Sequence, residues 1–519
     1  MTIYMKRSYK ILVAGLLAIT CYSCNFLSQE PQTSLSTEQL FSDIKNVQPY
    51  LNGIYYSWRD TRINRKGLFL MLGLDETQQG EYQIRTDAQQ GALDKYNGFY
   101  GPDNNAIAQL WSVRWRVAVL ASEALDGIER ITPATAAESA SLDMFRGQAL
   151  FYRACVMFEM AQYWGGLPVP ELKDGEVVIG GRRTLVQTYE FIEKDLIRAI
   201  ELLPKERPAD GRVPTRWAAH AILARLYMSA WEESGMRDFG KAKMHLQAVV
   251  SSGMYALMTH FADLWNPDVS CEQEAVFTFY FNNVWPDTNE LQWYCGSRAL
   301  SSDPNCPMGG YDLLVPTAYA RNYKDAGGIW EEGDLRREES IRYTFAYKGK
   351  SPAAVAGFGE DQLLPHIRKY EDWRIEGTKS FYNTGKNIYY IRYADVLLLL
   401  AECLNEEGST AEAVDLVNQV RMRAWGGVLP AEAQWKAMSQ DDFRTALMDE
   451  RIRELLCEGW RRMDLMRQGK QVFIREVKAK NPWAKEQGSL DEHHLLFPIP
   501  NTEIKTNTSV ASVDQNPGY

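Results

Sequence analysis

The segment RGQALFYRACVMFEMAQYWGG, residues 146–166, constrains the fold more than any other part of the chain. Apolar side chains recur in it at the three- and four-residue spacing of one helix face, and a second apolar row runs beside the first. The first row is Leu150, Ala154, Met157, Ala161 and Trp164, and the second is Phe151, Cys155 and Phe158. An apolar face this wide predicts a helix that is buried on most of its sides. The Gly165-Gly166 pair, with Pro168 after it, predicts the end of that helix. The rest of the chain must therefore wrap around it.

Further helical patterns lie before and after this segment. Ser36 and Gln39 have the spacing of a capping box at a helix start. The segment PTRWAAHAILARLYMSAWE, residues 214–232, carries alanines that let two helix axes approach closely. They are Ala218, Ala219, Ala221, Ala224 and Ala230. Residues 389–406 and 410–424 predict another antiparallel pair of helices. Such pairs indicate packing of the tetratricopeptide type.

The middle of the chain has a different pattern. EAVFTFYF, residues 274–281, predicts a short strand, and long irregular stretches rich in Gly, Pro, Asn and Trp follow it. Irregular segments of this length in a compact protein are usually functional. We therefore predict a mainly α protein with a helical-hairpin scaffold over roughly 36–265 and 388–470. A loop-rich binding region with minor β structure is expected over roughly 271–387.

The N-terminus has the layout of an export signal. Lys6, Arg7 and Lys10 precede nine apolar residues, 11–19, which are too few to span a bilayer. Starts at Met1 and at Met5 both fit this layout. Cys24 at the end of the segment predicts a lipoprotein signal over residues 1–23, with Cys24 lipidated and the mature domain over 24–519. Ordinary secretion, with Cys24 a bystander, is the alternative.

Charge excludes one class of partner. The formal charge is -10, and cleavage before Cys24 removes three positive residues and no negative one, which gives -13. A chain this acidic is a poor ligand for nucleic acid or anionic surfaces.

Eight cysteines occur in the sequence. Their sequence contexts indicate that most of them are structural. Cys155, Cys403 and Cys457 lie in apolar helical contexts typical of small core residues. Cys295 and Cys306 flank a loop and are able to bridge in an oxidising compartment, but spacing alone leaves their pairing open.

A series of motifs in one order resembles the SusD/RagB family of outer-membrane lipoproteins. The motifs are SCNFLSQEPQ, RGQALFYRACVMFEMAQYWGGLPVP, GRVPTRWAAHAILARLYM, VVSSGMYALM, IRYADVLLLLAECLNE, LVNQVRMRA, ERIRELLCEGWRRMDLMR, FPIPNTEI and QNPGY. The resemblance implies a tetratricopeptide-based scaffold that binds a nutrient, usually an oligosaccharide, on an irregular face. It further implies delivery to a SusC-like TonB-dependent barrel in the outer membrane, with no catalysis and no cofactor. The RagB branch of the family, which binds peptide, is the nearest alternative.

Charged residues inside otherwise apolar helices predict an internal ion-pair network, because an unpaired buried charge costs several kcal/mol. The predicted members are Arg392, Glu402, Glu450, Arg451, Arg453, Glu454, Arg461 and Asp464.

Two other patterns suggest chemistry only weakly. Asp75 and Glu76 supply two carboxyl groups, as glycoside hydrolysis requires, but adjacent residues rarely face opposite sides of one bond. A surface glycoside hydrolase is therefore a minor alternative, and so is a purely structural adaptor. His493 and His494 in DEHH match no helical metal-binding pair, so we predict no metal site.

Sugar binding needs flat rings, on which the C–H-rich face of a pyranose stacks, with hydrogen-bonding groups around them. Loops that combine aromatic and polar residues are therefore the candidate site. The candidate ligand-binding residues are Trp285, Trp293, Tyr294, Tyr96, Asn97, Phe99, Tyr100, Tyr311, Arg85 and Asp75. Packing of these rings onto the scaffold is the alternative. Five tryptophans on predicted helices are expected in the core: Trp111, Trp115, Trp164, Trp217 and Trp460.

Overall fold

The computed structural model describes residues 37–173, 176–297, 310–311, 313–344, 364–375 and 384–519. Most of these residues are helical, which confirms the predicted mainly α class. Cys24, Cys306 and the predicted signal segment lie outside the described residues. Among the described helices, none combines the length and the apolar character that a membrane span requires.

The first part of the fold is built around the predicted central helix. Its helices are α1 (Thr37–Leu40), α2 (Val47–Arg59), α3 (Asn64–Leu68), α4 (Glu81–Thr86), α5 (Ala88–Lys95), α6 (Asn105–Glu129) and α7 (Ala136–Trp164). Three short strands accompany them: β1 (Thr77–Gln78), β2 (Pro170–Lys173) and β3 (Glu176–Ile179). Thr135 caps the start of α7 by accepting a hydrogen bond from the Glu138 amide. Gly165 ends the helix at φ 77°, as predicted. Nearly every residue of α7 after Gly147 is buried, with α6 on one side and the next helix on the other.

Three helices continue the scaffold: α8 (Leu185–Leu202), α9 (Arg216–Ser229) and α10 (Phe239–Ser251). Thr184 and Gln187 form a full capping box at the start of α8. Helices α9 and α10 pack against each other as a hairpin. The predicted alanines of α9 are buried, which allows this close approach: Ala218, Ala219, Ala221 and Ala224.

The described residues of the middle region form short elements. They are β4 (Ala275–Phe279), α11 (Leu291–Cys295), β5 (Val315–Pro316), α12 (Ala318–Arg321), α13 (Arg336–Ser340), β6 (Ile341–Arg342), β7 (His366–Ile367) and β8 (Ile388–Arg392). The predicted strand is β4, and it pairs antiparallel with β8 from Ala275 opposite Arg392 to Phe279 opposite Ile388. This pairing ties both ends of the irregular region to the scaffold.

Helices resume after β8. They are α14 (Tyr393–Glu406), α15 (Thr410–Ala424), α16 (Gln440–Leu455), α17 (Arg461–Arg467), α18 (Lys470–Lys480), α19 (Pro482–Gln487) and α20 (Asn501–Thr506). Helices α14 and α15 form the predicted hairpin. Of the tryptophans expected in the core, Trp111, Trp164 and Trp460 are buried, while Trp115 and Trp217 are half-buried against it.

An ion-pair network holds the later helices to the middle region, as predicted. Arg392 donates to Glu274 and to Glu454, each at 2.8 Å. Glu450 accepts from Arg421 at 2.7 Å. Burial alone would raise the pKa of Glu450 and Glu454, but the surrounding guanidinium groups hold both well below the ordinary value. All predicted members are buried: Arg392, Glu402, Glu450, Arg451, Arg453, Glu454, Arg461 and Asp464.

A candidate ligand-binding surface

Three of the predicted aromatic residues lie together on the irregular region. We name Trp293, Tyr294 and Tyr311 the aromatic cluster. The ring centroids of Trp293 and Tyr311 are 6.3 Å apart, and the Tyr294 ring meets the Tyr311 ring edge-on at 5.5 Å. All three side chains are half-buried, so each ring keeps a part that solvent can reach.

Backbone and side-chain hydrogen bonds fix the aromatic cluster to the rest of the molecule. Helix α11 carries Trp293 and Tyr294, and the Asn289 side chain accepts from the Leu291 amide at its start. The Tyr311 amide donates to the Trp293 carbonyl oxygen at 2.8 Å. Gln83 of α4 donates from Nε2 to the Tyr311 carbonyl oxygen at 2.7 Å. The rings are therefore held in place by two distant segments.

Charged and hydrogen-bonding groups surround the aromatic cluster. The Arg65 guanidinium lies 5.4 Å from the centre of the Tyr311 ring and 3.7 Å from the Asp87 carboxylate. Burial raises the pKa of Glu290, while a hydrogen bond with the Tyr294 hydroxyl opposes that shift. A pyranose on these rings would thus find both donors and acceptors nearby.

Helix α4 carries two further exposed side chains beside Gln83. The predicted residue Arg85 is 72% exposed and forms an ion pair with Glu81 one turn earlier. Tyr82 is also exposed. Because Gln83 contacts Tyr311 directly, the structure brings the helix that carries Arg85 next to the aromatic cluster.

The loop before α6 divides the predicted residues into two groups. Phe99 is 57% exposed, and the half-buried Asn97 accepts a hydrogen bond from the Phe99 amide at 3.1 Å. Tyr96 and Tyr100, in contrast, are almost fully buried, and their hydroxyls donate to the carbonyl oxygens of Gly73 and His494. The expectation that Tyr96 and Tyr100 contact a ligand is corrected: both rings belong to the core.

Asp75 is also an interior residue. Its two carboxylate oxygens accept from Arg461 Nε at 2.8 Å and from Nη2 at 2.6 Å. The expectation of a ligand-rim Asp75 is therefore wrong, because its side chain is occupied by a buried ion pair. Its neighbour Glu76 is buried as well, and burial raises the pKa of that carboxyl to about 8.

Trp285 occupies a different place from the aromatic cluster. It is 76% exposed at the tip of a turn, next to the exposed Val284. The turn is closed by the Asn282 amide, which donates to the Asp287 carbonyl oxygen at 2.7 Å, and the Asp287 carboxylate pairs with Arg59 at 2.9 Å. Among the described residues, the Trp285 ring makes no ring–ring contact, so Trp285 and Trp293 do not form one stacked platform.

Three residues near this region were not among the ligand-binding candidates predicted from the sequence. Trp373 is half-exposed, with the Lys386 ammonium 5.8 Å from its ring centre, and burial lowers the pKa of Lys386 to about 7. Trp373 lies in a loop among polar residues, like the other candidate tryptophans, so the same sequence criterion could have identified it. Arg65 and Tyr82 lie on predicted scaffold segments, and no local pattern distinguishes them.

The DEHH segment and the described cysteines have structural roles. The Asp491 carboxylate accepts from the His493 amide at 3.0 Å, and His494 Nδ1 accepts from the Asp491 amide at 3.2 Å. This arrangement caps a single helical turn. Cys155, Cys271, Cys295, Cys403 and Cys457 are buried free thiols.

Comparison with known proteins places the fold in a family. A family model described as the SusD family matches residues 315–519, and one described as "Starch-binding associating with outer membrane" matches residues 25–228. SusD-like protein P2 of Formosa agariphila is 26% identical over 99% of this chain and 100% of its own length. The starch-binding protein SusD of Bacteroides thetaiotaomicron is 23% identical over 86% of this chain and 87% of its own. The solved structure of a laminarin-binding SusD-like protein superposes with a TM-score of 0.72 at 21% identity, over 92% of this chain and 99% of that one. The two models together span most of the sequence, and the chain belongs to the SusD-like family of outer-membrane-associated proteins.

Proposed function

We propose that this protein is a cell-surface lipoprotein that captures oligosaccharide and passes it to a SusC-like TonB-dependent barrel for nutrient uptake. The aromatic cluster carries this proposal: three partly accessible rings, fixed from two sides and bordered by Arg65 and Glu290. Two relatives are named for the glycans they bind, starch and laminarin, and they support a glycan as the ligand class.

The energetics of such a surface suit capture followed by release. Ring contacts contribute about 0.5–1.5 kcal/mol each beyond the area they bury. A few rings with polar contacts give a dissociation constant between about 1 μM and 1 mM, equivalent to roughly 4–8 kcal/mol. A ligand held this weakly is able to leave for a transporter.

Exposed side chains at other places extend the proposed surface. Phe99, Trp285 and Arg85 lie outside the aromatic cluster but are exposed. We assign them secondary contacts with a longer chain.

The proposal assigns binding rather than hydrolysis. A glycoside hydrolase needs two carboxyl groups free to act on the substrate. Both oxygens of Asp75 are already bound by Arg461, and Glu76 is buried behind it. These observations argue against the Asp75–Glu76 pair as a catalytic site.

The decisive experiment is isothermal titration of the mature chain with a polysaccharide panel that includes starch and laminarin fragments. The variant Trp293→Ala/Tyr311→Ala is expected to lose at least tenfold in affinity for the bound glycan, while Trp285→Ala loses less. Tyr96→Phe, which keeps a buried ring, serves as the matched control and retains affinity. Melting curves for each variant separate loss of binding from loss of fold.

Three outcomes contradict the proposal. Unchanged glycan affinity in the double variant would place the site elsewhere. Binding of a peptide library with no affinity for any glycan would instead identify a RagB-type peptide receptor. Release of sugar from a labelled polysaccharide would show an enzyme.

A further inference from the structure

Two histidines on the scaffold point their ring nitrogens at each other. His220 lies on α9 and His245 on α10, and their Nδ1 atoms are 2.8 Å apart. Each ring is held by a stacked aromatic neighbour, His220 by Trp217 at 5.7 Å and His245 by Tyr227 at 5.8 Å. The pair thus bridges the two helices of the hairpin.

Only one of these two Nδ1 atoms is able to carry a proton when they share a hydrogen bond, because the other must accept it. A metal cation is the other species that two imidazole nitrogens bind together. At metal–nitrogen bonds of about 2.0–2.1 Å, nitrogens in adjacent coordination positions lie about 2.8–3.4 Å apart. The observed 2.8 Å is near the lower end of that range.

We propose that His220 and His245 form a binding site for a divalent transition-metal cation, which clamps α9 to α10. Water completes the coordination, since both side chains are only partly buried. Copper binds most tightly among the divalent first-row ions at nitrogen ligands, so Cu²⁺ is the strongest ligand of this class.

The charges that face the histidine pair are of both signs. Glu193 of α8 accepts a hydrogen bond from the Tyr227 hydroxyl at 2.5 Å and adds a negative charge near His245. Arg216 and Lys241 face the pair from α9 and α10 and oppose it.

The test is isothermal titration of the chelator-treated mature chain with Cu²⁺, and with Ni²⁺ and Zn²⁺ as redox-inert probes. We expect one Cu²⁺ per chain, with Ni²⁺ and Zn²⁺ weaker. His220→Gln and His245→Gln should each weaken binding at least tenfold. Bound metal should raise the melting temperature of the unsubstituted chain by a few degrees and leave that of either variant unchanged, because only the folded state presents the pair.

His493→Gln is the matched control, since Asp491, His493 and His494 form the one other described group with several metal-ligating atoms close together. It should bind Cu²⁺ as the unsubstituted chain does. Metal-free melting curves show whether each variant folds. The proposal is overturned if the chain binds no transition metal, if both hairpin variants bind normally, or if His493→Gln alone abolishes binding.

Discussion

Gln83 and Tyr311 are 228 residues apart in the sequence, and a 2.7 Å hydrogen bond from Gln83 Nε2 to the Tyr311 carbonyl oxygen joins them. This contact attaches the irregular region to helix α4 at the point where the aromatic cluster lies. Gln83 itself is fully buried, so it positions Tyr311 without being able to touch a ligand.

Gln83→Ala should therefore weaken glycan binding without removing a ligand contact. A hydrogen bond of this kind contributes about 0.5–1.5 kcal/mol, so we expect a loss of roughly three- to tenfold in affinity by titration. Gln187→Ala removes a comparable hydrogen bond, from the capping box of α8, and should change stability alone. Equal affinity in the Gln83 and Gln187 variants would mean that Tyr311 holds its position without this contact.

The buried ion pair of Asp75 and Arg461 should be important for stability. Removal of one partner leaves the other charge buried, which typically costs about 3–5 kcal/mol. Asp75→Ala and Arg461→Met should each lower the free energy of unfolding by an amount of this order in denaturant titrations. The double variant should lose less than the sum of the two, because no charge is left unpaired. Additive losses would show that the two residues act independently.

Much of the scaffold was predictable from the sequence because burial leaves a periodic pattern. The apolar rows around Leu150 and the charges around Glu450 identified the central helix and the ion-pair network directly. Both features depend on the spacing of residues within single helices. The helical hairpins were predictable for the same reason.

The binding surface was less predictable because its geometry depends on which way loop side chains point. Tyr96 and Phe99 lie three residues apart in one loop, yet one is buried and the other exposed. Tyr96 has a left-handed backbone conformation, φ 52°, which ends α5 there. Composition does not reveal that turn. The contact between His220 and His245 was not predictable either, because it depends on how α9 and α10 are aligned in the tertiary structure.

Membrane anchoring through Cys24 is open to a direct test. Cys24→Ser should abolish incorporation of a labelled palmitate analogue in cells and move the protein from the membrane to the soluble fraction. Loss of all acyl chains removes the hydrophobic anchor, at about 0.8 kcal/mol for each CH₂ no longer buried. Cys21→Ser, three residues earlier in the same predicted signal, should keep both label and location. Labelling that survives in Cys24→Ser would contradict the predicted anchor.

Glu76 should make stability depend on pH. Burial raises the pKa of its carboxyl from an ordinary 4.5 to about 8, so the folded state binds a proton that the unfolded state releases between these values. Stability from this group is fully present below about pH 4.5 and is lost as pH rises toward 8. The side chain of the Glu76→Gln variant cannot ionise. The melting temperature of this variant, relative to that of the unsubstituted chain, should therefore increase as pH rises from 5 to about 8. The exposed Glu332→Gln should show no such gain in melting curves over the same range. A constant difference between Glu76→Gln and the unsubstituted chain at every pH would mean that Glu76 ionises equally in both states.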